Sequence, residues 1–184
     1  MPLEQLEQKP GHLIRRAQQI AVAVFMEECA ELDLTPMQYA ALTAIGVQPG
    51  IDATRLSQLI ALDRSTTGSV LERLEAKALV VREESREDRR IKLLRLSDAG
   101  RALQRKAEAP VQRAQQRIVA PLSAGERKTF MRLLAQLVES NNALSRAPAA
   151  PGGRHREGAP ASASGAAPAS GHPTDNTTWR RRIP

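Results

Sequence analysis

Residues 84–92 read ESREDRRIK, and seven of the nine side chains carry charge: Glu84, Arg86, Glu87, Asp88, Arg89, Arg90 and Lys92. Four cations in so short a stretch can grip a polyanion by neutralising its phosphates. The three acids among them fit a solvated loop equally well, so this stretch alone leaves both readings open. A second cluster lies upstream: Arg64, Ser65, Thr66, Thr67, Gly68 and Ser69, with Arg73 further along. Hydroxyls bond base edges or phosphates, a glycine admits close backbone approach, and a helix N-terminus favours phosphate. The alternative is a Ser/Thr-rich cap before an ordinary amphipathic helix.

A third group is His12, Arg15 and Arg16, whose spacings of three and four bring them to one region of a helix. Arginine forks onto a carboxylate, and histidine donates or accepts at a ring substituent. A solvated helix start is the plain alternative. Cys29 is the sole cysteine and permits no internal disulfide. One cysteine, one histidine before residue 146, no Gly-rich phosphate loop and no metal-spaced His/Cys cluster leave nothing from which to assemble a catalytic, metal or cofactor site. The sequence therefore points away from an enzyme.

Charge and composition narrow the partner. The net charge of the 184-residue chain is +7, but residues 146–184 hold six arginines (146, 154, 156, 180, 181 and 182) against Glu157 and Asp175. The preceding 145 residues are only mildly basic, so any nucleic-acid argument must rest on where their charges sit. Aromatic residues make up 2% of the chain, too few for folds that stack single-stranded bases. The opening MPLEQLEQKP has no apolar signal core, and no 18-residue apolar run follows. The expectation is a cytoplasmic protein without a membrane segment.

The elements that must position these groups are mostly helical. Leu13, Ala17, Ile20, Ala21, Val24 and Phe25 recur at helical spacing over 11–32. Thr35-Pro36-Met37-Gln38 reads as a capping box with proline at the first helical position, opening a helix to Val47. Pro49-Gly50 is a turn, Asp52 caps a short helix, Ala61-Leu62 is a tight break, and Asp63 caps the next helix with Val70, Leu71 and Leu74 inward. Residues 79–81 and 91–96 read as two strands, which makes ESREDRR the tip of a hairpin. Ser97 starts a long helix that Pro110 kinks or interrupts. Ser123-x-x-Glu126 opens a last helix with a stripe of Phe130, Leu133, Leu134, Leu137 and Val138. The fold class expected is mainly α, a winged helix-turn-helix with a small β-hairpin wing and an α-helical dimerisation region. Residues 146–184, rich in Ala, Pro, Gly and Ser, read as a disordered tail. Its closing TWRRRIP can touch phosphates or an acidic partner, or be a solvated terminus.

Here the chain resembles the MarR family of transcriptional regulators. The resemblance rests on Leu62-Asp63-Arg64-Ser65-Thr66, Leu74-Glu75-Ala76-Lys77-Ala78-Leu79, Asp88-Arg89-Arg90 and Leu96-Ser97-Asp98-Ala99-Gly100. Ala78 stands where the family usually has glycine, and Ser97 where it has threonine. The resemblance implies a homodimeric repressor that binds a pseudo-palindromic double-stranded DNA operator. Arg64, Ser65, Thr66, Thr67, Ser69 and Arg73 would serve the major groove. Arg90 would enter the minor groove braced by Asp88, with Arg86, Arg89 and Lys92 on flanking phosphates. It further implies a small-ligand site between the dimer helices and the winged module. There His12, Arg15 and Arg16, walled by Met37 and Tyr39, suit a small aromatic carboxylic acid, as in the members that control aromatic-acid catabolism. The organisation expected is 1–34 for dimerisation and ligand binding, 35–96 for the winged module, 97–145 for dimerisation and 146–184 for the tail.

Two rival readings stand beside this one. Some relatives sense peroxide through a cysteine on the first helix, but Cys29 sits among Glu27, Glu28 and Glu31 near a helix C-terminus, all of which raise a thiol pKa. A non-specific architectural DNA protein would need a more basic body and apolar wedges for the minor groove.

Overall fold

The computed structural model describes residues 3–145 and 147–149, all within one unit, Met1–Gly152. All but three residues of the expected tail, TWRRRIP included, lie outside the described residues. The order is α1 (Leu3–Glu7), α2 (Pro10–Glu28), a 3₁₀ turn (Ala30–Leu32), α3 (Pro36–Val47), β1 (Ile51–Asp52), α4 (Ala53–Leu59), α5 (Arg64–Ala76), β2 (Val80–Glu84), β3 (Lys92–Leu96), α6 (Asp98–Ile118), α7 (Ala124–Ser140) and a 3₁₀ turn (Asn142–Leu144). This is the mainly helical winged architecture that the sequence predicts.

Side chains immediately before the helices set where they start. Thr35 Oγ1 accepts the Gln38 amide at 3.2 Å, and Gln38 Oε1 accepts the Thr35 amide at 3.0 Å. Asp52 Oδ1 accepts the amides of Thr54 and Arg55 at 2.8 and 2.9 Å. Ser123 and Glu126 close the second capping box. These bonds satisfy amides that have no partner inside the helix. Two exits use the left-handed region: Ala61 has φ 52° and Ala78 has φ 54°. At each, an amide reaches back five residues, Leu62 to Ser57 O at 3.0 Å and Leu79 to Leu74 O at 2.9 Å, the closure of a Schellman turn.

The structure departs from the sequence reading in three places. The first long helix ends at Glu28, not Leu32, and its last turn tightens into the 3₁₀ segment. The helix after Ser97 is not interrupted: it runs through Pro110, held by the buried Ala107, Val111 and Ala114 on either side. The hairpin is part of a three-stranded sheet of order β1-β3-β2, because Ile51 and Asp52 pair with Leu94 and Leu93.

The core lies where α3, α4 and α5 meet β3, with Leu42, Ile45, Leu56, Leu71, Leu74 and Leu94 fully buried. α6 joins it through one close approach. A Cβ on Gly100 would lie 2.0 Å from the Leu79 carbonyl oxygen, so only glycine lets the first turn of α6 rest on the start of the wing. Ser97 ties the same junction three ways. Its amide donates to Leu79 O at 3.1 Å, its hydroxyl donates to Ala78 O at 2.7 Å, and its Oγ accepts the Gly100 amide at 2.9 Å.

At the far end of α6, Arg113 Nε and Arg117 Nη1 hold the Glu28 carboxylate at 2.9 and 2.6 Å, tying α2 to α6. The hydrogen bonds from Arg117 and Arg113 hold that carboxyl below the usual carboxylate range. A depressed carboxyl pKa adds stability that is present above the unfolded value and lost only as pH falls through the folded value, so the tie is intact at neutral pH. Beyond it, α7 buries none of its residues: Phe130, Met131, Leu133, Leu134, Leu137 and Val138 are 39–57% exposed.

Gly100→Ala is expected to cost at least about 2 kcal/mol, the order of overpacking penalties in close-packed sites. Ala78→Gly is expected to gain about 0.5–1 kcal/mol, because a left-handed L-residue costs roughly 1–2 kcal/mol and glycine's greater unfolded entropy returns part of it. Urea denaturation at matched protein concentration reads both, and equal midpoints for the two variants would contradict the junction.

Candidate nucleic-acid interface

One face of α5 and the loop between β2 and β3 gather most of the charged and hydroxyl side chains singled out from sequence. On α5, Ser65, Ser69 and Arg73 recur every four residues and are exposed, as is Arg64. A Cβ added at Gly68 would meet nothing within 4 Å, so the helix surface is open there. Thr66 is half-buried and committed to the cap: its amide and hydroxyl both donate to Asp63, at 2.9 and 2.6 Å. Those bonds, the hydroxyl's first, hold the Asp63 carboxyl below its ordinary range.

Thr67 is a correction. It was expected on the open face, but it is 2% exposed and lies with Val70, Leu71 and Leu74 on the buried stripe. Spacings of three and four from Val70 and Leu71 put it there, and it leaves the set of groups that can meet a ligand from solvent.

The hairpin separates its charges into a stem and a tip. In the stem, Lys92 Nζ bonds Glu84 Oε1 at 2.7 Å across the strands, and Arg95 Nε bonds Glu83 Oε2 at 2.9 Å. Arg82 Nε donates to Glu75 of α5, anchoring the wing to the helix beside it. Glu84 is therefore not merely solvated; Lys92 holds its carboxyl below the usual range. Lys92, expected on phosphate, is engaged within the stem.

The tip is shaped by backbone bonds. Ser85 Oγ accepts the amides of Glu87 and Asp88 at 3.2 and 3.4 Å. Asp88 Oδ1 accepts the Arg90 amide at 2.9 Å. Asp88 was expected to brace the Arg90 guanidinium; the bond it makes is to the Arg90 main chain. A short carboxylate caps a turn in this way more readily than it reaches the end of an arginine. Among the described residues, the side chains of Arg64, Arg73, Arg86, Arg89 and Arg90 have no hydrogen-bond or ion-pair partner. Sequence reasoning missed Ser85, although a serine opening a charged turn is a recognisable signal.

The contacts of the expected small-ligand group are local ones within the described residues. Arg15 and Arg16 both donate to Gln19 Oε1, at 3.2 and 3.3 Å. Tyr39 packs on Phe25, ring centroids 6.1 Å apart, and Met37 is 47% exposed at the start of α3. His12 precedes Phe25 by thirteen residues on α2, about 20 Å along a helix axis, so it stands apart from the Phe25–Tyr39 pair. Cys29 is 1% exposed, and burial followed by the Glu28 charge pushes its thiol up, away from the reactive thiolate. Among the described residues no group of three or more His, Cys, Asp or Glu is placed to hold a metal ion, and no helix is long and apolar enough to cross a membrane.

Comparison with known proteins places this geometry in context. A model of the MarR family matches residues 32–91, from the end of the first 3₁₀ turn to the wing tip. A putative transcriptional regulatory protein for the hcr operon of Thauera aromatica is 32% identical over 133 residues, covering 72% of this chain and 80% of that protein. The repressor CouR, solved bound to a 23-mer DNA duplex, superposes with a TM-score of 0.69 at 29% identity, over 75% of this chain and 98% of CouR. BpsR of Bordetella bronchiseptica, solved to explain regulation of its DNA binding by 6-hydroxynicotinic acid, gives 0.69 at 30% identity, over 72% and 95%.

Asp88→Ala is expected to speed hydrogen exchange at the Arg90 amide and leave Lys92 and Arg95 unaffected. Unchanged exchange at Arg90 would mean that the tip is ordered by something else.

Proposed function

The chain belongs to the MarR family of transcriptional regulators, and from that premise we propose that it is a homodimeric repressor. In this reading α5 enters the major groove of a pseudo-palindromic operator, and the tip of the β2–β3 wing enters the minor groove. The division of charge on the wing carries the reading. Stem cations are neutralised by Glu75, Glu83 and Glu84, whereas Arg86, Arg89 and Arg90 at the tip are unpaired among the described residues. A solvated loop has no need of that separation; a tool for phosphates and a narrow groove has. Arg64, Ser65, Ser69 and Arg73 meet base edges and phosphates in the major groove, and Thr66 positions the helix start.

The homodimer follows from the apolar faces left open. The α7 stripe, with Leu13, Ile14, Ile20 and Met26 of α2, is more than scattered surface apolar residues. Two copies covering these faces through a two-fold axis set the recognition helices about 34–36 Å apart, one turn of DNA. The effector is a small aromatic carboxylate. This rests on His12, Arg15 and Arg16 and on the relative regulated by 6-hydroxynicotinic acid. The pocket lies between the dimer helices and the winged module, with Met37 and Tyr39 as its apolar wall. Ligand binding favours a dimer whose helices no longer match the half-sites. The architectural reading loses to this one because the described body offers a shaped, local set of unpaired cations rather than a broadly basic surface.

Titration with a duplex selected from a random pool, against its scrambled version, tests the function. Specific binding is expected to be tighter by roughly 10³-fold or more, and a ratio near one would refute the repressor. Arg90→Ala is expected to weaken binding to both duplexes and to reduce the salt slope by about 1. Leu134→Glu with Leu137→Glu is expected to sediment as a monomer. Arg16→Ala or His12→Ala is expected to keep DNA binding but require more aromatic acid for release; release at the wild-type concentration would remove these residues from the pocket.

A further inference from the structure

α7 buries none of its residues, yet the chain that leaves it is folded into a turn. The Asn142 side chain pairs with both backbone groups of Ala149: Nδ2 donates to Ala149 O at 3.0 Å, and Oδ1 accepts the Ala149 amide at 2.9 Å. Ser145 Oγ accepts the Ala147 amide at 3.2 Å inside the same turn. Ala147 and Pro148 form one wall of a cleft of about 500 Å³. Facing them are Thr54 and Gln58 of α4 and Asp63 and Arg64 at the entry to α5.

Those facing residues belong to the part of a helix-turn-helix that a duplex approaches. The first helix of the pair crosses the DNA backbone, and the start of the second meets the bases. The wall made by Ala147, Pro148 and Ala149 offers a phosphate nothing to bind. The amides of Ala147 and Ala149 are taken within the turn, and Pro148 has no N–H. Among the described residues no hydrogen bond or ion pair ties this wall to α4 or α5. The turn takes its shape from Asn142 and Ser145, and its seat on the cleft is one of contact alone.

We propose that this turn is an intramolecular competitor of DNA. Seated over the cleft, it narrows the approach to Arg64 and to the start of α4, and it swings aside when the duplex backbone closes on them. The inference rests on the DNA-binding reading and adds a regulation to it, because the apparent affinity scales with the fraction of chains whose turn is open. The turn hangs from α7, the helix assigned above to the dimer contact, so movement of α7 changes that fraction.

The test uses the full-length chain and one duplex selected from a random pool. Asn142→Ala removes both bonds to Ala149 and leaves every residue assigned to DNA in place. It is expected to bind about threefold or more tightly with an unchanged salt slope, since the phosphates contacted in the final complex are the same. Equal or weaker binding would overturn the proposal, and weaker binding with a shallower slope would make the turn a DNA contact instead. A lock works in the opposite direction. Gln58→Cys and Pro148→Cys are joined across the cleft by a short bis-maleimide, while Cys29, 1% exposed, does not compete for the reagent. The linked protein is expected to bind about tenfold or more weakly than the same double variant left unlinked. Linked and unlinked proteins of equal affinity would also rule the competitor out. If neither the wild-type chain nor Asn142→Ala binds a duplex, the DNA-binding reading fails, and this inference falls with it.

Discussion

The winged module and the helices beyond it meet where α6 rests directly on a carbonyl oxygen. Gly100 leaves no side chain between the first turn of α6 and Leu79, the residue that ends the left-handed exit from α5 and precedes β2. Ser97 completes the joint by bonding Ala78, Leu79 and Gly100 with its one amide and one hydroxyl. Because the contact is backbone to backbone, it has little slack. Any tilt of α6 moves the base of the wing and the C-terminal end of α5 together. A regulator whose effector acts on the helices outside the winged module needs such a rigid connection, since packed elements transmit displacement and do not absorb it.

The electrostatics follow the same plan of fixing one part and freeing another. Acids on the wing stem consume the stem cations, Asp88 and Ser85 consume amides at the turn, and the tip arginines are left over. The acids in this charged stretch are thus what separates cations that hold the structure from cations available to a ligand. On α5, Asp63 and Thr66 serve the cap while Ser65, Ser69 and Arg73 face outward. At the other end of α6, Glu28 is shared by Arg113 and Arg117, which ties α2 to α6 and keeps the two from sliding.

Much of this was legible in the residues because local chemistry dictates it. The capping boxes at Thr35 and Ser123, the caps at Asp52, Asp63 and Ser97, and the break at Ala61 depend on neighbours within five positions, and all are where the sequence reading put them. What failed depended on distant partners. Thr67 reads as polar, but the helical phase set by Val70 and Leu71 buries it. Pro110 reads as a kink or a break, and α6 runs through it unbroken, with Ala107, Val111 and Ala114 buried on either side. The pairing of Ile51 with Leu94 is invisible in a two-residue strand, whose partner lies forty-three positions away.

The central claim is that α5 and the wing tip form the face that meets DNA. Backbone amide hydrogen exchange, measured with and without a selected duplex, tests it most directly. Exchange is expected to slow at residues 64–69 and 85–91 and to stay unchanged through the middle of α6 and α7. Protection along α6 and α7, with the start of α5 and the wing tip unaffected, would contradict it.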